Sequence, residues 1–325
     1  MSQADITFKK MVNDILNYGV SDDGLDVRTV WVDDDGKETP AHTIKRFGVV
    51  NRYDLRKEFP AITLRKTAIK SAFKEILWIW QQKSNIVEQL GLDIWDQWKD
   101  ENGTIGMAYG AQIKEKFLHH KIQCADADDT NTKYYETEDL IRKEIDPSFF
   151  INADKENSTL YCSMDTTDAI LYDLKHNPYS RRILGHMWNR NDLLAMALTP
   201  CCWGIMLDVT PPKKGSKPIL NMTLLQRSSD VITANNWNVC QYALLLMMFA
   251  QVSDMIPGEL VHVINNAHIY DRHIDIAKEL ISRESYNAPS VYLNKTKKNF
   301  YEFTVDDLEI RNYTYGDNVK IPVAK

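Results

Sequence analysis

The sequence predicts a single α+β domain, and the prediction depends mainly on two helices and a set of strands. Apolar residues recur at helical spacing from Ala68 to Gln82, and the stretch from Val239 to Met255 is apolar nearly all round, as in a buried central helix. Short runs bounded by turn residues predict strands at 203–210, 219–227 and 260–265. No internal repeat and no linker divides the chain, so we expect one domain over residues 1–325.

The remaining elements follow from local patterns. Apolar residues at helical spacing predict a first helix over residues 4–18. Segment 26–56 is rich in β-branched residues and predicts strands joined by a turn at Asp33–Gly36. Further on, the patterns predict these elements: a helix at 169–175, a strand at 182–188, a turn at 211–215 and a helix at 271–283.

Residues 119–165 differ from the rest of the chain. They are polar, with three aspartates between Asp126 and Asp129 and repeated Lys, Glu and Thr. This composition predicts an insertion on the surface, part of it disordered.

Composition limits the classes of function. With 325 residues, 44% of them hydrophobic, the chain can bury a large core. The net charge of −6 argues against a protein that coats nucleic acid. No stretch approaches the length of about 18 apolar residues that a membrane span needs. The N-terminus carries no apolar signal core, and the five cysteines lack zinc-like spacing. We therefore expect a reduced cytoplasmic protein with no metal site and no membrane or nucleic-acid partner.

Three segments predict chemistry at a thiol. Arg181 and Arg182 precede Cys201 by about twenty residues, and the polar cluster Gln226–Asp230 follows about twenty-five residues later. Guanidinium groups favour a thiolate and hold phosphates through paired hydrogen bonds. The order of these segments therefore indicates a cysteine nucleophile that acts on a small phosphorylated substrate. The alternative is that Cys201 is a packing residue and that the arginine pair is a solvated surface.

Eight short motifs, in order, are similar to those of the thymidylate synthase family, and the similarity covers nearly the whole chain outside the insertion. The motifs are Glu75–Trp78, Ile94–Trp98, Tyr109–Gly110, Asn177–Ile183, Ala197–Cys201, Gln226–Asp230, Ala267–Tyr270 and Ile321–Ala324. The resemblance implies a homodimer that is mediated by a mixed sheet with packed helices.

The resemblance also assigns roles on the nucleotide side. It implies that Cys201 adds to C6 of the uracil ring of dUMP, because C5 becomes nucleophilic only after that addition. Asn238 would read the O4 and N3–H edge of the base, although an asparagine here could instead be a helix N-cap. The residues implied to bind dUMP are Arg28, Arg181, Arg182, Gln226, Arg227, Ser228, Asn238, His268 and Tyr270, with Arg181 and Arg182 donated by the neighbouring subunit.

On the other side of the base, the resemblance implies a site for 5,10-methylenetetrahydrofolate. Glu75 and Tyr109 would manage proton transfer, and with Cys201, Arg227 and Asn238 they form the implied catalytic set. Glu75 lies on the buried side of its predicted helix, so without that role it would be a structural carboxylate with partners. The residues implied to contact the cofactor are Asp230, Trp95, Trp98, Arg65 and Ala324.

Some positions depart from the family's pattern. Cys202 stands where histidine is common, Ile232–Trp237 replaces a glycine- and proline-containing loop, and Asn265–Asn266 replaces Gly-Asp. These changes cluster on the cofactor side. The resemblance therefore predicts a methyltransferase that converts dUMP to dTMP and releases dihydrofolate, with a pyrimidine-nucleotide hydroxymethylase of the same family as the alternative. A nucleotide- or RNA-binding paralogue without turnover and a thiol protease remain as more distant alternatives.

Overall fold

The structure is a computed structural model that describes residues 2–123, 150–154 and 159–325. Most of the predicted insertion, and with it the expected disorder, lies outside the described residues. Its described parts are strands of a three-stranded antiparallel sheet in the order β5-β7-β6, with β5 at Phe117–Gln123, β6 at Phe150–Asp154 and β7 at Thr159–Met164.

The helices and strands predicted outside the insertion are present, together with further short elements that the sequence patterns did not predict. The α-helices are α1 Gln3–Tyr18, α2 Ile69–Ile76, α3 Val87–Leu90, α4 Gly110–Lys114, α5 Thr166–His176, α6 Asn235–Val252 and α7 Ile274–Ser282. The remaining strands are β1 Val20–Ser21, β2 Val30–Val32, β3 Glu38–Pro40, β4 Thr43–Asp54, β8 Leu184–His186, β9 Cys202–Thr210, β10 Ile219–Asp230, β11 Ile256–Tyr270, β12 Ser290–Leu293 and β13 Leu308–Arg311. None of the helices in the described ranges is long and apolar enough to cross a membrane.

A six-stranded mixed sheet organises the molecule, in the order β1-β4-β11-β10-β9-β8. Only β10 and β11 run parallel; every other neighbouring pair in this sheet is antiparallel. Both strands extend beyond the predicted ranges, and in the ladder Ser228 pairs with Asn266 and Asp230 with His268. Because parallel strands end at the same edge of a sheet, the Gln226–Asp230 and His268–Tyr270 motifs lie side by side.

The central helix α6 packs against α2 and against strands β10 and β11. It is buried along almost its whole length, as its apolar sequence predicts. It begins at Asn235, four residues before the predicted start, and its N-cap is Ala234. The helix N-cap interpretation of Asn238 is therefore wrong: this asparagine lies inside the first turn, where its side chain is available to the site.

Helix α2 begins at Ile69 and continues directly into a π-helical turn, Leu77–Gln81. A π-turn widens the backbone spiral and often occurs at functional sites. Trp78 and Trp80 in this turn are fully buried, and Glu75 in the preceding turn is buried among apolar neighbours. The α2 helix thus carries a carboxylate into the core beside α6.

Candidate active site

Cys201 lies immediately before β9, beside Arg227 on the neighbouring strand β10. The Arg227 backbone N–H donates to the Cys201 carbonyl at 2.8 Å, and the guanidinium Nη2 lies 3.7 Å from the Cys201 Sγ. Two carbonyl groups fix the guanidinium, that of Thr199 at 3.0 Å and that of Pro200 at 3.4 Å. Since Arg227 forms no ion pair with a carboxylate in the described part of the chain, its charge is available to an anionic ligand.

The thiol is protonated in the free site. Burial raises the pKa of Cys201, and the nearby Arg227 charge and the Tyr109 hydroxyl reduce that rise without reversing it. The cation beside the thiol was predicted from sequence; the net upward shift was not. Cys202 is almost fully buried, and burial followed by the charge of Cys201 raises its pKa well above the ordinary value, as expected for a packing residue.

Tyr109 contacts the same cysteine through an unusual backbone conformation. Its hydroxyl oxygen accepts a hydrogen bond from the Cys201 backbone N–H at 3.2 Å, and its ring lies edge-on to Trp95 with centroids 5.1 Å apart. Tyr109 has φ 49° and ψ −105°, a conformation that L-residues rarely adopt. The next residue must be glycine, because a Cβ on Gly110 would lie 2.1 Å from the Ser84 carbonyl oxygen.

Glu75 accepts three hydrogen bonds in a buried position. The Trp95 indole N–H donates to Oε1 at 2.7 Å, and Oε2 accepts from the Trp237 indole at 2.6 Å and from the Gln241 amide at 2.8 Å. Burial raises the pKa of Glu75, whereas these donors favour its charged form and limit the rise. A carboxyl group with a raised pKa is a candidate for taking up and releasing a proton.

Asn238 is held by amides on both sides. Its Oδ1 accepts from the Gln226 Nε2 at 3.1 Å, and its Nδ2 donates to the Gln241 Oε1 at 3.0 Å. Gln226 is anchored in turn by the Ser228 carbonyl at 2.9 Å and by the His262 ring nitrogen at 2.6 Å. The asparagine therefore keeps one donor and one acceptor position free at a fixed orientation.

Asp230 lies at the shared end of β10 and β11. Its Oδ1 accepts the backbone N–H groups of Ile232 at 3.0 Å and Thr233 at 3.2 Å, while its Oδ2 makes no hydrogen bond with the described residues. Burial alone would raise the pKa of Asp230, but His273, Thr233 and His268 together hold it below the ordinary value. Asp230 is therefore a charged acceptor with one open oxygen.

His268 and Tyr270 form an aromatic corner beside Asp230. Their rings are edge-on with centroids 5.1 Å apart, and the His268 Nδ1 lies 3.2 Å from the Asn266 Oδ1. Burial lowers the pKa of His268, so the ring is neutral at pH 7. A neutral imidazole and a phenol at one corner can hydrogen-bond a sugar hydroxyl.

The other residues that are implied to contact the cofactor include Arg65 and two tryptophans. Arg65 donates to the Ile232 carbonyl at 2.6 Å, whereas its Nε is buried without a partner among the described residues. Trp98 packs edge-on against Trp95 with centroids 5.3 Å apart. An unpartnered buried donor, an open carboxylate oxygen and two edge-on indoles together fit a flat ligand that has both polar edges and an aromatic ring.

The C-terminal tail lies over this region. The Pro322 carbonyl is 2.8 Å from the His273 Nε2, and Lys325 exchanges two backbone hydrogen bonds of 2.8 Å with Val30. Ala324 is half-buried between these two anchors. The anchoring of the tail brings Ala324 close to the strand that follows Arg28.

The four remaining residues implied to bind dUMP are a serine and three arginines. Ser228 is half-buried on β10 beside Arg227. Arg28, Arg181 and Arg182 are exposed, and their side chains form no hydrogen bond or ion pair with any residue the structure describes. The structure thus brings Arg227 to the thiol and leaves the other three guanidinium groups unpaired at the surface.

Sequence reasoning missed Gln241, Trp237 and His262. Gln241 had a signal, because a glutamine three residues after Asn238 on an otherwise apolar helix needs a buried polar partner. Trp237 was noticed only as a departure, yet its indole is a donor to Glu75. The replaced glycine causes no strain, because Ala234 has φ −104° and ψ −24°, which any residue can adopt.

Comparisons with known proteins agree along the whole chain. A family model described as thymidylate synthase matches residues 6–325. The thymidylate synthase of Bacillus phage phi3T is 39% identical over 327 residues, which cover 100% of both chains. Thymidylate synthase 1 of Bacillus subtilis (strain 168) is 38% identical with the same coverage. The solved structure of thermostable thymidylate synthase A from Bacillus subtilis superposes with a TM-score of 0.79 at 37% identity, covering 99% of each chain.

Proposed function

The chain belongs to the thymidylate synthase family, and we propose that the cleft around Cys201 is where it carries out that family's reaction. The enzyme converts dUMP to dTMP with 5,10-methylenetetrahydrofolate as co-substrate, which supplies the one-carbon unit and the hydride and leaves as dihydrofolate. The observation that carries the assignment of the site is the contact between the Arg227 guanidinium and the Cys201 thiol at 3.7 Å. An anion bound by Arg227 lies within reach of the thiol.

Cys201 acts as the nucleophile. Its proton must leave before attack, and the Arg227 charge favours the thiolate once the nucleotide excludes water from the site. The sulfur then forms a bond to C6 of uracil, and the electron pair moves through C5 to O4. Asn238 donates to O4 from Nδ2 and accepts from N3–H through Oδ1, which stabilises the charge that develops there.

Protons move on the other side of the ring. Glu75 and Tyr109 both lie within a cluster that includes Trp95, and burial raises the pKa of each group. We assign to them the proton transfers at O4 and C5. Asp230 accepts from the N–H edge of the co-substrate, and Arg65, Trp95, Trp98 and Ala324 line the same space.

The phosphate is held by Arg28, Ser228 and Arg227 of one subunit and by Arg181 and Arg182 of the partner subunit. Support for a dimer comes from the outer face of the sheet. Cross-strand pairs place mostly apolar side chains in two rows, Leu184–Met206–Thr223–Val261, which ends at Arg52, and Leu225–Val263–Val50. Three of these are well exposed: Val50 at 54%, Leu184 at 49% and Met206 at 44%. An apolar sheet face of this extent is typical of an isologous interface.

The arginine pair immediately precedes β8, whose Leu184 belongs to the first of these rows. A partner packed on this face would therefore approach both unpaired guanidinium groups. This arrangement also avoids a cluster of four like charges within one empty subunit, where their mutual repulsion would be unfavourable.

One reaction tests the chemistry. Purified protein is incubated with dUMP and methylenetetrahydrofolate, and both products are identified by mass. We expect dTMP and dihydrofolate in equal amounts. A hydroxymethylated nucleotide with tetrahydrofolate would instead establish the hydroxymethylase, because water then captures the methylene group and no hydride moves.

A second experiment tests the shared site. We expect Cys201→Ala and the double variant Arg181→Ala/Arg182→Ala each to be inactive alone, and the two are mixed under conditions of subunit exchange. Half of the dimers are then mixed, each with one complete site, so activity returns to about a quarter of wild type for a twofold-symmetric dimer. No recovery after demonstrated exchange would place the arginines in the same subunit as the thiol.

A further inference from the structure

We propose that Gln241 is a specificity-determining and positioning residue, which joins the base-reading amide of Asn238 to the carboxylate of Glu75. This inference rests on the proposed function of the Cys201 cleft. Through this one side chain, the choice of pyrimidine and the protonation of the carboxylate are coupled. Gln241 is itself buried, with 3% of its surface exposed, and both ends of its amide are used within the protein.

The direction of the hydrogen bonds is fixed at the carboxylate end. Glu75 in its charged form has only acceptors, so the Gln241 group 2.8 Å from Oε2 must be the NH₂. The Gln241 Oε1 then faces Asn238 and requires a donor, which the Asn238 Nδ2 supplies at 3.0 Å. If the Gln241 amide turned over, its oxygen would face the Glu75 carboxylate, and this acceptor–acceptor contact excludes the reverse orientation.

The direction is fixed independently at the other end. The Gln226 Nε2 donates to the Ser228 carbonyl at 2.9 Å, and a carbonyl can only accept. The same nitrogen donates to the Asn238 Oδ1 at 3.1 Å. The Gln226 Oε1 is 2.6 Å from the His262 Nε2, which must carry a hydrogen. Burial lowers the pKa of His262 to about 3, so the ring stays neutral and keeps this donor.

The orientation of Asn238 decides the base. Uracil offers an acceptor at O4 and a donor at N3–H, whereas cytosine offers a donor at N4 and an acceptor at N3. To read cytosine, the Asn238 amide would have to turn over. Its Oδ1 would then face the Gln241 Oε1, and its Nδ2 would face the Gln226 Nε2. One contact between two acceptors and one between two donors are strongly unfavourable in a buried site. The hydrogen-bonded amides of Gln226, Asn238 and Gln241 therefore select uracil.

The hydrogen bond from Gln241 to Glu75 also affects the protonation of this carboxylate. Gln241 is one of three donors that favour the charged carboxylate. The titratable groups that sense the Glu75 charge are Tyr109 at the start of α4, Cys202 on β9 and Tyr242 on α6, and burial leaves all three neutral at pH 7. Within the described part of the chain no cation pairs with Glu75. Loss of the Gln241 donor therefore raises the pKa of Glu75 further.

The test compares Gln241→Met with Trp237→Phe. Both remove a donor from the same Glu75 oxygen, but only Gln241 also contacts Asn238. Two quantities are measured: the ratio of the dissociation constants for dCMP and dUMP, and the pH profile of kcat/KM with dUMP. We expect Gln241→Met to lower the ratio about tenfold and to move the Glu75 inflection to higher pH. Trp237→Phe should move the inflection and leave the ratio within about twofold.

An unchanged ratio in Gln241→Met, with a wild type that converts dUMP, would overturn the proposal while leaving the proposed function intact. A wild type that binds neither nucleotide would overturn the proposed function instead. Should Gln241→Met fail to fold, Gln241→Glu serves the same purpose. A carboxyl group at this position still accepts from the Asn238 Nδ2 in either protonation state, but once ionised it has no donor for Glu75. Gln241→Glu should therefore keep the preference for dUMP and move the Glu75 inflection to higher pH, and a loss of the preference would overturn the proposal.

Discussion

Asn238→Asp should shift the preference of the enzyme from dUMP towards dCMP. The substitution replaces the Nδ2 donor with an oxygen of almost the same size, so uracil O4 loses its donor and the cytosine amino group gains an acceptor. Within the protein, the new oxygen faces the Gln241 Oε1 at about the present 3.0 Å. A buried polar group left without its partner costs about 1–3 kcal/mol, or roughly ten- to a hundredfold in binding.

The fold should tolerate the change. Asn238 lies in the first turn of α6, where the helix dipole favours a negative charge by about 0.3–1 kcal/mol. Asn236→Asp is the matched control, because it places the same charge two residues earlier in the same turn. Asn236 forms no hydrogen bond with Glu75, Gln241 or Asn238. Its partners include the Pro60 carbonyl at 2.9 Å and the Ile62 N–H at 3.0 Å. The control should lose thermal stability and keep its base preference.

The assay is the ratio of kcat/KM values for dUMP and dCMP, together with equilibrium binding of both nucleotides. We expect the ratio to fall at least tenfold in Asn238→Asp, whichever nucleotide then turns over faster. If the ratio stayed at the wild-type value while the variant remained folded, Asn238 would not be the residue that reads the base.

Cys201→Ser should abolish turnover and retain dUMP binding, because a hydroxyl cannot ionise beside Arg227 as a thiol can. Cys202→Ala should retain most of the turnover, and an equal loss of turnover in this variant would show that the assignment of Cys201 as the nucleophile is wrong. Phe249→Ala should lower the free energy of unfolding by about 3–5 kcal/mol in a denaturant titration, because the ring is fully buried and stacked on another aromatic; a loss below about 1 kcal/mol would contradict this packing. The Asp230 carboxylate, with a pKa held below its ordinary 3.8, contributes stability above pH 3.8 that is lost as the pH falls through its folded value. Asp230→Asn should therefore flatten the stability profile in that acid range, and a profile unchanged from wild type would show that the folded and unfolded pKa values are equal.

Local patterns were sufficient to predict most of the fold. Helix α1 was predicted over residues 4–18 and spans Gln3–Tyr18, and the β9–β10 hairpin was predicted at its observed turn. Both depend on contacts close in the sequence, which hydrophobic spacing and turn residues encode directly. The parallel pairing of β10 and β11 was not predicted, because it joins strands separated by a whole helix.

The motifs that resemble the family were likewise sufficient to predict which residues approach one another at the thiol. Arg227 was expected beside Cys201 and lies there. The sequence could not predict the direction in which the pKa of Cys201 shifts, because burial raises this pKa and the Arg227 guanidinium lowers it. Burial is a property of the packed chain and cannot be read from the neighbouring residues.

The sequence by itself thus determined the α+β elements and the family, because each is encoded in local spacing or in residue type. Only the tertiary structure decided that Trp237, Gln241 and Glu75 share a network. Glu75 lies more than 160 positions from the other two along the chain, and the three meet because α2 and α6 pack side by side. Buried hydrogen bonds have fixed directions, so the orientation of each amide depends on partners that only packing brings within 3 Å.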